Sequence, residues 1–302
     1  MTPLARSTLR GVASHRPIVH LFVRRHQRKW QSREYERLGR MKSIRRTVAS
    51  LLVAISLLVS CTIDVDETTD VRDSSSTQGR ASTALREYRV PEKFENSTVV
   101  WSAEPGIDLL SPEATVVRAV IEARQIALAT SLSERYPGFG YAIDESARDF
   151  YEEVPSDSHL EYGTAYHRIT RLDRIENGFV AYACLQLSNI AGLNADGLFE
   201  RSISQAFLTS PLAIERSDPS IDPSLPPAPT GPSSEANPPQ WQAPTFDAFA
   251  GWDVRFNGPR DISQAAVCTD WGRQFAPDAP EEGSLRVSSE APPETLPANP
   301  GW

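Results

Sequence analysis

Metal-ligand pairs, nucleophile motifs and long apolar runs are all scarce in this sequence. Three cysteines and five histidines occur in 302 residues, with no paired Cys or His spacing; the usual zinc modules are excluded and no metal site is expected. There is no G-x-S-x-G elbow, phosphate-binding loop, H-E-x-x-H helix or dinucleotide glycine fingerprint. The common enzymatic signatures are therefore missing, and no cofactor is expected. Acidic residues are rare at the start of the chain and basic ones scarce after it. Residues 1–60 carry 13 of the 31 Lys+Arg and only Glu34 and Glu36 among the acids, leaving 18 basic and 37 acidic side chains, a net charge of −19, in the remainder. Such a body repels nucleic acid, and no nucleic-acid partner is expected.

The long apolar run, Thr47–Ser60, sits in an informative place. From Met41 the chain reads basic (Lys42, Arg45, Arg46), then apolar for 14 residues, then small (Ser60), then Cys61. That is the layout of a secretory signal peptide, and it falls short of the ~20 residues that span a bilayer. A permanent transmembrane helix is the competing reading. Leu58-Val59-Ser60-Cys61 also resembles the lipobox of bacterial lipoproteins. The resemblance implies cleavage before Cys61 and lipidation of its thiol. Two or more acyl chains anchor stably where one does not. The implied location is the cell membrane, lipid-anchored and facing outside the cytoplasm. An ordinary signal peptide with an incidental cysteine is the plainer alternative. Residues 1–40 hold ten Lys+Arg; they are expected to be disordered and to precede the true start at Met41, with an organellar transit peptide as the poorer alternative.

The exported part divides by composition. Residues 61–96 are polar and acidic and predict a flexible tether. Asp64, Asp66, Glu67, Asp70 and Asp73 lack the glycine and closing glutamate of a calcium loop. Ser111-Pro112-Glu113 predicts a helix start, followed by a buried stripe of Val116, Val117, Val120, Ile121, Leu128 and Leu132 and ended by Pro137-Gly138. A second, shorter helix is expected over 142–153, burying Ile143, Ala147 and Phe150. Asn177-Gly178 between two strand-like runs is a hairpin signal. Further strands are expected at 202–216, broken near Pro211, and at 251–258, with a closing helix at 261–276. Residues 218–244 hold nine prolines and predict an extended insertion, and 277–302 hold six and predict a loose or surface-hugging tail. The expectation is one α+β domain over 97–276, with two N-terminal helices packed on one face of a curved antiparallel sheet.

Candidate chemistry is thin. If Cys61 is lipidated, Cys184 and Cys268 remain, an even pair in an oxidising compartment, and a disulfide between them is expected. The exported part holds two histidines, His159 and His167. Strand alternation turns His167 inward with Ile169, making it the candidate general base, with Asp149 or Glu152 as partners; a buried structural histidine is the alternative. Arg168, Arg171 and Arg174 are expected to pair with the protein's own carboxylates, and the acids of "DESARDFYEE" to form a wet helix face. Trp241 and Trp302 are candidate binding anchors if exposed; otherwise they seat on the domain.

The element order resembles the cone of the nuclear-transport-factor and ketosteroid-isomerase superfamily. The strings "WSAEPGIDLLSPEATVVRA", "RYPGF" and "CTDWGRQFAPDAP" resemble a family of actinobacterial exported proteins. That likeness runs from Trp101 to Trp302 and implies no activity and no catalytic residues. Three functions fit: a non-catalytic envelope module binding an envelope protein, a cell-wall glycan or lipid; a cone-fold isomerase or hydrolase using His167; and a structural accessory subunit.

Overall fold

The computed structural model describes residues 88–153, 159–217 and 239–302. The expected signal peptide, Cys61, the first part of the expected tether and residues 218–238 of the Pro-rich insertion lie outside the described residues. The domain begins earlier than composition suggests. Phe94, in the expected tether, is fully buried in the main core, and Tyr88 packs edge-on to Tyr136 at 5.7 Å. A single apolar anchor at the end of a polar stretch escapes a composition average.

Among the described residues, strand β1 (Asn96–Ala103) precedes the α-helices. Helix α1 (Pro112–Ala129) starts where the sequence says it must: the Ser111 hydroxyl accepts from the Ala114 N–H at 3.2 Å, with Pro112 in the first turn. Val116, Val117, Val120 and Ile121 are buried, but Leu128 is 39% exposed, on the outer side of a last turn whose Ile126 and Ala127 are buried. The expected second helix is α3 (Glu145–Glu152), and a separate short helix, α2 (Phe139–Ala142), precedes it. The break falls at Asp144, whose carboxylate caps α3 by accepting from the Ala147 N–H at 2.9 Å. β2 (Glu161–Ile175) and β3 (Gly178–Gln186) form the hairpin, with Ile175 opposite Gly178. β4 (Ile190–Leu193), β5 (Phe199–Ile203), β6 (Phe207–Leu208), β7 (Leu212–Arg216), β8 (Trp252–Arg255), helix α4 (Ser263–Gly272) and β9 (Leu285–Ser289) follow. The class is mixed α+β.

The nine strands make one sheet. β3 and β4 pair antiparallel with the upper and lower parts of β2, and β5, β6 and β7 pair with β4 and β3 in turn. β8 joins β7, and β9 joins β5. β1 pairs parallel with β2 over Tyr162–Ile169. Because that stretch already carries β3 and β4 on one edge, β1 occupies the other. Gly163, at φ +109°, is where these paths crowd. A Cβ there would strike the Asn189 carbonyl and the ring of Pro293.

Alternation along β2 and β3 divides the two faces. His167, Ile169, Ala183 and Leu185 point to the face shared with α1, and they belong with it to one large buried cluster, apart from His167, which is buried there as well. Cys184 points the other way. There it forms a second small cluster with Ala206, Cys268 and Trp271, so α4 covers the opposite face. The expectation of helices on one face alone is thus corrected. Cys184 is bonded to Cys268, with 5.2 Å between their Cα atoms, and Phe275 stacks on Tyr166 at 4.0 Å. Gly272 lets α4 come close, since a Cβ at that position would collide with Ala206.

The C-terminal segment is not loose. After β9 it crosses the sheet end and runs along the outer edge of β1. The Trp101 N–H donates to the Asn299 carbonyl at 2.6 Å, and the Asn299 N–H to the Val99 carbonyl at 3.3 Å. Proline count misled because prolines remove donors but keep acceptors. The sheet supplies side-chain donors instead: Thr98 Oγ1 to the Leu296 carbonyl at 2.6 Å, Thr164 Oγ1 to Glu294 at 3.1 Å, and Asn189 Nδ2 to Glu294 at 2.9 Å. One strap therefore covers both a β5 edge, through β9, and the β1 edge.

The disulfide spans 84 residues, which in the chain-entropy model contributes about 4.5 kcal/mol. The Cys184→Ala/Cys268→Ala double variant is expected to lose roughly 4 kcal/mol in urea unfolding. An unchanged midpoint would remove the bond from the account of stability.

Candidate functional site

α1 is apolar nearly all round, yet it carries Arg118 and Glu122 four residues apart, only 1% and 2% exposed. Burying a carboxyl is costly unless donors replace its water. Here they come from three separate segments. Trp101 of β1 donates its indole N–H to Glu122 Oε1 at 2.6 Å. Tyr136, from the loop before α2, brings its hydroxyl to Oε2 at 2.7 Å. Trp302 of the strap donates its indole N–H to the same oxygen at 2.8 Å. A third indole is one bond further out: Trp241 donates to the Tyr136 hydroxyl at 2.8 Å and packs on Phe94.

Arg118 holds the strap from the other side. Its Nη2 donates to the Pro300 and Gly301 carbonyls at 2.9 and 3.2 Å, and its guanidinium lies 4.2 Å from the centre of the Trp302 ring. Gln242 completes the seat by accepting the Trp302 backbone N–H at 3.1 Å.

The proton count at this cluster is informative. The Tyr136 oxygen already accepts from Trp241 and lies 2.7 Å from Glu122 Oε2 and 2.9 Å from the Gln242 carbonyl. One phenolic proton serves one of those two acceptors. The Tyr136 hydroxyl donates toward Glu122 Oε2 and the Gln242 carbonyl, which share its single proton. Burial pushes the Glu122 carboxyl above the usual carboxylate range, against the opposing pull of Arg118 and the three donors. Burial, then Glu122, also raises Tyr136 well above its ordinary value.

The cavity beside this cluster is lined by Val99, Glu122, Trp241, Gln242, Ala298, Pro300 and Trp302, and it has room for about one water molecule. Ligand sites are larger by an order of magnitude. The chemistry available here is clamping: the donors and acceptors are spent on each other and on the strap. Trp241 and Trp302 are accordingly not exposed anchors. Trp241 is 5% exposed, and the Trp302 indole is turned inward to Glu122. An indole N–H needs an acceptor when buried, and the carboxyl in α1 provides it.

His167 is inward, as alternation implies, and fully buried. Its ring meets Trp101 edge-on at 4.7 Å, and neither ring nitrogen has a hydrogen-bond partner. Asp149 and Glu152 lie exposed on α3 and are not brought to it. Burial lowers its pKa to about 3, so it is a neutral ring at ordinary pH with no acceptor to relay a proton. Arg168 pairs with Glu104 at 3.0 Å, and Arg171 pairs with Asp261 at 2.7 Å and Asp173 at 2.9 Å. Arg174 is exposed. Cys61 lies outside the described residues. Among the described residues no group of His, Cys, Asp or Glu is placed to hold a metal, and no helix is long and apolar enough to cross a membrane.

Sequence reasoning passed over Arg118, Glu122 and Tyr136. The available signal was two opposite charges at i and i+4 inside an otherwise apolar helix, "ATVVRAVIEARQIALA". No protein-family model matches the chain, and no curated protein or solved structure does either. The geometry stands alone.

His167 sets an acid limit. Unfolded, it takes up a proton below pH 6.5; folded, it resists until about 3. Stability thus falls as pH drops through that window, by roughly 2–3 kcal/mol over the two pH units below 6.5. The His167→Phe variant is expected to lose this slope when unfolding is compared at pH 7 and pH 4.5. Equal acid losses in both proteins would contradict the assignment.

Proposed function

We propose that this chain is an exported lipoprotein, anchored in the cell membrane by acyl chains on Cys61, that displays a non-catalytic binding domain outside the cytoplasm. The observation that carries the reading is the Cys184–Cys268 disulfide. Such bonds form and persist in oxidising compartments, where the basic, apolar and cysteine-ended run at 41–61 would deliver the chain. On this reading the acidic residues after Cys61 are a spacer. The finer architecture is a helix pair seated on a curved sheet of the cone type.

The non-catalytic part of the reading is supported by how the polar interior is used. His167 is sealed without a partner; Glu122 is occupied by Trp101, Tyr136 and the strap's Trp302, and Tyr136 by Glu122, Gln242 and Trp241. Binding then falls to the outer surface, where Tyr141 and Ile262 are each 88% exposed. An envelope protein, a cell-wall glycan or lipid is the partner class proposed.

Cell fractionation tests the anchor. The wild-type protein is expected in the membrane and in the detergent phase, with an acylated Cys61 peptide by mass spectrometry. Cys61→Ala is expected to move it to the soluble fraction or leave it as unprocessed precursor. Native protein recovered from cytosol with its leader intact and no acyl group would overturn the reading.

A further inference from the structure

In a protein this acidic, arginines without carboxylate partners stand out. Arg135 and Arg148 are two, and they converge on one glycine. Arg148, on α3, donates its Nε to the Gly140 carbonyl at 2.9 Å and its Nη2 to the Ile143 carbonyl at 3.4 Å. Arg135 comes from the other side of α2, with its Nη2 lying against the Cα of Gly140, in the space a Cβ would fill. Neither forms an ion pair among the described residues, and the Arg135 Nε is buried without a hydrogen-bond partner. Both side chains keep partial exposure, so solvent and ions reach them. Tyr141, one residue on, is 88% exposed beside them.

Two like charges held on one small patch repel, and burial adds to the cost. Burial, with the Arg148 charge beside it, lowers the Arg135 guanidinium below its ordinary value, against the opposing fields of Tyr141, Tyr88 and Glu152. Glu152, one turn beyond Arg148 on α3, is the carboxylate in reach of this field, and it is exposed and bonded to neither. An anion seated between the two forks relieves the repulsion and takes up the unused N–H groups.

We propose that Arg135 and Arg148, meeting at Gly140, form a binding site for a phosphate group, with the Tyr141 hydroxyl at its rim. The guanidinium N–H groups not spent on the Gly140 and Ile143 carbonyls are donors for phosphate oxygens, and the two positive charges strengthen each such bond. Gly140 is part of the site because it admits the Arg135 fork; any side chain there pushes the fork away. The phosphate belongs either to a free ion or to a lipid headgroup, and the site is independent of how the chain is anchored.

The test titrates the full disulfide-bonded chain carrying Cys61→Ala with inorganic phosphate at constant ionic strength, with chloride as control, following the Gly140 amide by NMR. A second arm measures pelleting with phosphatidylglycerol against phosphatidylcholine vesicles. Wild type is expected to bind one phosphate saturably. Arg135→Gln is expected to weaken binding roughly tenfold or more. Gly140→Ala keeps both charges and favours the helix, and it is expected to weaken binding comparably by displacing the fork. Vesicle pelleting that requires Arg135 assigns the headgroup; phosphate binding without pelleting assigns the free ion. No saturable binding in either arm, or binding that Arg135→Gln and Gly140→Ala leave unchanged, overturns the proposal.

Discussion

A carboxyl group buried in a helix must be answered by donors, and Glu122 is answered from far along the chain. Its partners stand 21, 14 and 180 residues away in sequence, in β1, the loop before α2 and the strap. Since Trp101 and Tyr136 are buried and Trp302 partly so, every one of these segments has to be in place for the others to be satisfied. A half-formed network of this kind costs more than an apolar core would. The first strand, the central helix and the C-terminal strap are therefore cooperative parts of one unit. The strap's proline content, which reads as looseness, is compatible with that role because its carbonyls do the bonding.

The same constraint decides what the interior is for. Polar groups that look catalytic on a sequence map are occupied here. Tyr136 accepts one indole and links two acceptors, Arg118 cradles the strap's last carbonyls, and the adjoining space holds about one water. His167 is encased with Trp101 and no acid. The opposite face of the sheet is settled by different means, a disulfide and an aromatic stack that hold α4 down. On the proposed reading, function falls to the surface, where Arg135 and Arg148 meet at Gly140.

Local features were legible in the sequence because their causes are local. Ser111 caps α1 through a bond three residues on, and the hairpin signalled at Asn177-Gly178 turns within two residues, though these are Glu176 and Asn177, with Gly178 opening β3. The Cys184–Cys268 pair was legible by arithmetic in an oxidising compartment. What was not legible is non-local. Nothing within "STVVWSA" announces that it will lie parallel to a strand some 65 residues later. The site was read in part: His167 was placed inward, but the carboxyl that matters was hidden as one charge in an apolar helix. Trp241 and Trp302 were visible as unusual residues, yet the acceptors that seat them, Tyr136 and Glu122, sit in different parts of the chain.

Amide hydrogen exchange in Glu122→Gln tests this most directly. Whichever way the new amide is turned, one indole, of Trp101 or Trp302, faces an N–H instead of an oxygen. Losing a bond of that kind is worth on the order of 1–3 kcal/mol. The strap amide of Asn299 and the Trp101 amide that pairs with it are expected to exchange together, roughly tenfold or more faster than in wild type, while the β2–β3 hairpin keeps its protection. Wild-type protection at Asn299 and Trp101 in the variant would contradict the claim that Glu122 holds the strap.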